Sequence, residues 1–175
     1  DDFWLNVVTE YNDIKLKSVT RSDINLEQAE DDAKDKAKDN KAKDVTDTNE
    51  DQTKLLNFAK MVLSDHVKDV IASKKLTSSP SCLAVSEGAM DIRMERFLRD
   101  QKQLPTATLK VLELNMNHGL VQKIGQAIAL DTDAGRTKGE NLVKLLFEQA
   151  CIIEGEPLKN PSEFTARVNE LLLAA

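Results

Sequence analysis

The sequence predicts an α+β fold: a small sheet of about three strands with helices, the helices gathered toward the C-terminus. Two observations carry this. Short runs rich in β-branched and apolar residues occur at Val67 to Leu76, Cys82 to Val85 and Lys110 to Leu114, set off by turn-forming residues. From Asn117 onward the apolar spacing is helical throughout.

Residues 1–9 read as a short helix, with Phe3, Trp4, Val7 and Val8 on one side and Asp1 and Asp2 at its positive end. Tyr11-Asn12-Asp13 is turn chemistry. Ile14, Leu16 and Ser18 then alternate with Lys15 and Lys17, the pattern of a half-buried strand. So short a segment cannot enclose a core, so 1–25 reads as the tail of a preceding domain. An opening of Asp1-Asp2-Phe3 fits a piece of a longer polypeptide. Residues 26–50 change character: apolar residues other than Ala nearly vanish, and Glu30–Lys34, Asp32–Lys36 and Asp39–Lys43 pair acid-first at i,i+4. A solvated connector helix to about Lys43 is expected, with Val45 to Asp51 loose.

The main domain spans 51–175. Leu55, Leu56, Ala59, Val62 and Leu63 make 51–65 an amphipathic helix. Two strands, 67–76 and 82–85, are joined by a turn at Thr77-Ser78-Ser79-Pro80. A helix follows at 88–102, a third strand at 110–114, and helices at about 117–130, 138–154 and 161–173. Asn160, Pro161 and Glu163 are an N-cap, a first-turn proline and the acidic member of a capping box.

Several functions are disfavoured. Of 175 residues 41% are hydrophobic and 31% charged, with a net charge of −6, and no basic cluster is interleaved with aromatics, which argues against nucleic acid. No apolar run approaches the ~20 residues of a membrane span. Cys82 and Cys151 form no pair motif, so reduced thiols in a cytoplasmic setting are expected. Asp131-Thr132-Asp133-Ala134-Gly135 has its glycine one place early for a calcium loop and Leu142 where the twelfth ligand belongs, so it reads as a turn and helix start. His66 and His118 lack ligand spacing, and no phosphate loop or nucleophile elbow occurs. The expectation is no catalytic residue, no metal and no cofactor in this chain.

Two apolar stripes are left. Met90, Met94, Phe97 and Leu98 fall at i, i+4, i+7 and i+8, with Asp91, Arg93, Glu95, Arg96 and Arg99 filling the other faces. This is either a core-facing stripe or, given the adaptable methionines, a binding surface. Residues 141–153 are apolar around most of the helix, through Leu142, Leu145, Leu146 and Ile153, widened by Val143, Phe147, Ala150 and Ile152. With Phe164, Val168, Leu171, Leu172 and Leu173 of the last helix they form either an intrachain core or a symmetric four-helix interface between two copies.

Val111-Leu112-Glu113-Leu114-Asn115-Met116-Asn117-His118-Gly119-Leu120-Val121 and Asn160-Pro161-Ser162-Glu163-Phe164 to Arg167-Val168-Asn169-Glu170-Leu171-Leu172 resemble the C-terminal domain of the bacterial heat-shock protein 90 chaperones. The stretch Lys68-Asp69-Val70 to Leu76-Thr77-Ser78-Ser79-Pro80 precedes them in that family's order and spacing. Met116 stands where the family usually has Pro, and the ending Leu172-Leu173-Ala174-Ala175 lacks an acidic tail, which fits a bacterial or organellar version. The resemblance implies a constitutive homodimer joined by an intersubunit four-helix bundle through Leu142, Leu145, Leu146, Gln149, Ile153, Phe164, Val168, Leu171 and Leu172. It also implies contact with non-native client proteins through Met90, Met94, Phe97 and Leu98, and through Phe3 and Asn6 near the start. ATP and Mg belong, on the same resemblance, to an N-terminal domain of the parent. The alternative is a purely structural dimerisation module without client binding.

Overall fold

The computed structural model describes residues 8, 10–12, 14–15, 45–86, 89–103 and 108–173. Strands β1 (Glu10–Tyr11) and β2 (Ile14–Lys15) pair antiparallel, Glu10 opposite Lys15 and Tyr11 opposite Ile14. Asn12 makes the turn at φ 51°, a left-handed conformation that asparagine tolerates well. Val8 is not helical, so a helix over 1–9 does not reach it; the rest of that helix and the connector helix to Lys43 lie outside the described residues.

Helix α1 (Val45–Val62) corrects the expectation of a loose 45–51. Val45, Thr46 and Thr48 each cost only a few tenths of a kcal/mol in a helix. Downstream, Leu55 and Ala59 bury one face, and the helix they commit propagates backward.

Strands β3 (Val67–Ala72), β4 (Ser81–Ala84) and β5 (Lys110–Leu114) form the sheet. The order is β3-β5-β4, with β5 parallel to β3 and antiparallel to β4. The two early strands are therefore not a hairpin; β5 lies between them. All five residues of β5 are buried, which a central position covered on both faces requires. Asn115, just beyond it, holds the 73–80 loop: its amide nitrogen donates to Thr77 O and Ser79 O at 3.2 Å each, and its backbone N–H to Pro80 O at 2.9 Å. The Glu-Leu-Asn block is thus a loop clamp.

Helix α2 (Ile92–Asp100) starts later than 88 because Asp91 caps it, accepting a hydrogen bond from Arg93 N at 2.9 Å. Helix α3 (Gly119–Ala129) is capped by His118, whose Nδ1 accepts from Leu120 N at 3.2 Å. Helix α4 (Asp133–Glu154) starts five residues earlier than the spacing indicated, since Thr132 caps it by accepting from Gly135 N at 3.0 Å. Helix α5 (Pro161–Leu173) matches its expected span. Asn160 accepts from Glu163 N at 3.3 Å, while its amide donates to Glu163 Oε1 at 2.7 Å, a capping box closed through the side-chain amide.

The core lies where α1, α3 and α4 cover the sheet, through Leu63, Leu112, Leu114, Ile124 and Leu146, each at most 1% exposed. Gly139 lets α4 approach closely: a Cβ there would meet Ile128 Cγ2 at 2.9 Å and Phe58 Cε1 at 3.2 Å. The result, among the described residues, is an α+β fold of five helices and a three-stranded mixed sheet with one minimal hairpin before it.

Candidate functional site

Helix α2 is seated with its polar side inward. Ile92 and Glu95, at i and i+3, are buried, and Arg96 and Arg99 on the same side are half-buried. Glu95, on a face away from the stripe, has a carboxylate that accepts from Thr108 N at 2.8 Å and from Thr108 Oγ1 and Lys110 Nζ at 2.5 Å. Burial would raise the Glu95 pKa, but those hydrogen bonds and the Lys110 charge outweigh it and hold the carboxyl below its ordinary range. Asp91 is likewise buried, as the helix cap.

The consequence is on the other face. Phe97 is 52% exposed and Met94 and Leu98 are half-buried along this stripe, while Met90, 41% exposed, precedes the Asp91 cap and so lies just before the helix rather than on it. A helix of this composition ordinarily turns its apolar face to the core. Here Ile92 and the Glu95–Lys110 ion pair take that place, and Phe97 is turned out. Phe3 and Asn6, the other two client-contact candidates, lie outside the described residues.

Helices α4 and α5 form an antiparallel hairpin. Arg167, buried on α5, reaches Glu148 of α4 with both Nε (3.2 Å) and Nη2, and Glu163 with Nη1 at 3.3 Å. Burial opposes its charge, but the Glu148 hydrogen bonds prevail and raise the Arg167 pKa. Further along, Asn141 Nδ2 lies 3.5 Å from Glu170 Oε2. Of the interface candidates, Leu142, Leu145 and Leu146 are buried by their own chain, and Gln149, Phe164, Val168 and Leu171 are partly buried. Ile153 (73% exposed) and Leu172 (71%) stand clear of it. Two residues outside the candidate set join them, Ile152 beside Ile153 and Leu173 at 90% exposure. Helical spacing did mark Ile152 and Leu173 as apolar, but could not tell which side the chain would leave open.

Among the described residues, no group of three or more His, Cys, Asp or Glu is placed to hold a metal, and no helix is long and apolar enough to cross a membrane. Burial, reinforced by Glu113, pushes the Cys82 pKa up to about 11, and burial with Glu156 pushes Cys151 to about 12. Thiols so protonated are poor nucleophiles at neutral pH.

A sheet bearing an outward-facing apolar helix, followed by a helical hairpin with uncovered apolar ends, defines the chain as an α+β module with apolar surfaces on view. The model of the Hsp90 protein family matches residues 1–175, and the chain belongs to that family. It is 49% identical over its full length to the Chaperone protein HtpG of Rickettsia bellii (strain OSU 85-389), of which it covers 27%. It is 48% identical to the Chaperone protein HtpG of Wolbachia pipientis wMel, with 98% of this chain and 26% of that protein aligned. The chain thus spans about a quarter of the length of these relatives.

Proposed function

We propose that this chain is the dimerising and client-contacting part of a cytoplasmic Hsp90-family chaperone. Residues 51–175 form the dimerisation domain, 26–50 the charged connector and 1–25 the tail of a middle domain. The observation that carries the reading is the seating of α2: Glu95 is buried against Lys110 and Thr108, while Met90 and Phe97 face solvent. Flexible methionine and a planar aromatic ring can adapt to varied apolar segments of a partly folded protein. Association at each site is weak, and two copies of the stripe in one dimer strengthen it by effective concentration.

Dimerisation draws on the uncovered Ile152, Ile153, Leu172 and Leu173 at the two ends of the α4–α5 hairpin. A second hairpin laid across this one would complete a four-helix bundle. Phe164, Val168 and Leu171 border that surface; Leu142, Leu145 and Leu146 support it from beneath. The parent's ATP and Mg chemistry belongs to other parts of the full-length protein.

The test is aggregation suppression with heat-denatured citrate synthase as client. Met90→Ser with Phe97→Ser should reduce suppression several-fold while the sedimenting mass stays that of the unmodified chain. Full suppression by this variant would refute client contact and leave a purely structural dimerisation module.

A further inference from the structure

The C-terminal end of α4 closes with two backbone hydrogen bonds, Glu156 N to Cys151 O at 2.8 Å and Gly155 N to Ile152 O at 3.1 Å. With Gly155 left-handed at φ 70°, this is a Schellman ending. It leaves the Glu154 carbonyl to find a partner elsewhere, and the partner comes from α2: Arg96 Nη1 donates to Glu154 O at 3.0 Å. One turn on, Arg99 Nη2 pairs with Glu156 Oε2 at 3.0 Å, with side-chain exposures of only 22% and 11%. The other oxygen, Glu156 Oε1, is buried without a hydrogen-bond partner, so Arg99 is the group that matches this carboxylate.

Gly155 is fitted to the arrangement. A Cβ on it would lie 1.9 Å from Arg96 Nη1. The glycine therefore serves both the left-handed turn and the seat of the guanidinium. Besides these ties α2 has little backbone contact with any other helix or strand, and its other anchors are Ile92, buried in the core at the start of the helix, and the Glu95–Lys110–Thr108 cluster at the sheet. By helical spacing Arg96 and Arg99 lie on the side of α2 opposite Met94. They hold it to the end of α4 that carries exposed Ile152 and Ile153.

We infer that Arg96 and Arg99 are positioning residues: clamped on Glu154, Gly155 and Glu156, they fix the outward face of α2 and tie it mechanically to the end of α4. The functional side rests on the client-contact reading above; the clamp does not. Because the same end of α4 carries apolar surface assigned to the partner copy, whatever fixes that end also fixes α2. Coupling of this kind is reciprocal for binding, so client on α2 would steady the subunit contact in turn.

The test is a charge-reversal cycle on the whole chain, Arg99→Glu, Glu156→Arg and both together, followed by backbone hydrogen exchange across α2. Each single reversal should speed exchange over Arg93–Asp100 by at least about tenfold, as loss of a charge-assisted tie predicts. The double reversal should bring it back toward the unmodified rate. Gly155→Ala, which displaces Arg96, should act like a single reversal while leaving exchange in α3 and β5 unchanged. Unchanged α2 exchange in the single variants, or a double variant no slower than the singles, would overturn the clamp. Aggregation suppression should fall and recover with exchange. If exchange responds while suppression does not, the client-contact reading fails and the clamp stands.

Discussion

His66 shows how much one side chain's surroundings decide. Its ring meets Phe147 edge-on, with centroids 5.7 Å apart at 86°, and its Nδ1 is buried without a hydrogen-bond partner. Burial lowers its pKa, and the Lys159 charge lowers it further. A histidine depressed in the fold is neutral there and takes up its proton more readily when unfolded. Its contribution to stability is complete above the unfolded value, about 6.5, and is lost as pH falls through the folded one. The melting temperature should therefore decline below about pH 6.5, and His66→Gln should flatten that decline; an unchanged pH profile in the variant would contradict the assignment. The thiols give a second expectation at this scale. Cys82, pushed to about 11, and Cys151, to about 12, should be alkylated by iodoacetamide at pH 7.5 far more slowly in the native chain than in urea. The lack of ligand spacing around His66 was legible in the sequence. Its neighbours were not, because Phe147 and Lys159 are more than eighty residues away along the chain.

At the scale of elements, α2 carries the clearest lesson. The i, i+4, i+7, i+8 stripe marked an amphipathic helix, and amphipathicity fixes an axis without fixing which side is inside. That choice was made by Lys110 of β5, which supplies a buried positive charge for Glu95. Removing one member leaves the other buried and unmatched, which typically costs 3–5 kcal/mol. Glu95→Ala should accordingly lower unfolding free energy by about 3 kcal/mol in urea titrations, and Glu95→Met with Lys110→Met together by distinctly less. Equal losses in the two variants would show that the pair is not what seats the helix. The sheet makes a similar point. Strand β5 was legible residue for residue from Lys110 to Leu114, yet its insertion between β3 and β4 was not. Local turn residues at 77–80 are compatible with a hairpin. What excludes one is β5 lying between the two strands, with the Asn115 side chain at its end gripping the loop carbonyls from 36 and 38 residues on. Helix boundaries behaved as their caps dictate: α5 began where Asn160 and Pro161 announce it, and α4 began early because Thr132 is as good a cap as any later residue.

For the whole molecule, the family and the fold class were legible from ordered sequence blocks, and the division of the apolar helices between core and surface was not. Leu146 is 1% exposed inside its own chain, so a charge there would unfold the domain rather than report on assembly. Ile153, 73% exposed, is the position that separates the two effects. In the proposed dimer the uncovered ends of the α4–α5 hairpin are closed by a second copy. This closure is tested most directly by sedimentation of the chain across a dilution series, beside Ile153→Glu. A species of about twice the 19.5 kDa subunit mass should persist to submicromolar protein. Dissociation should be at least about 100-fold easier in Ile153→Glu, since a charge would be buried unpaired, with the fold intact by circular dichroism. A monomer of 19.5 kDa at micromolar concentration, or a dimer indifferent to Ile153→Glu, would contradict the closure.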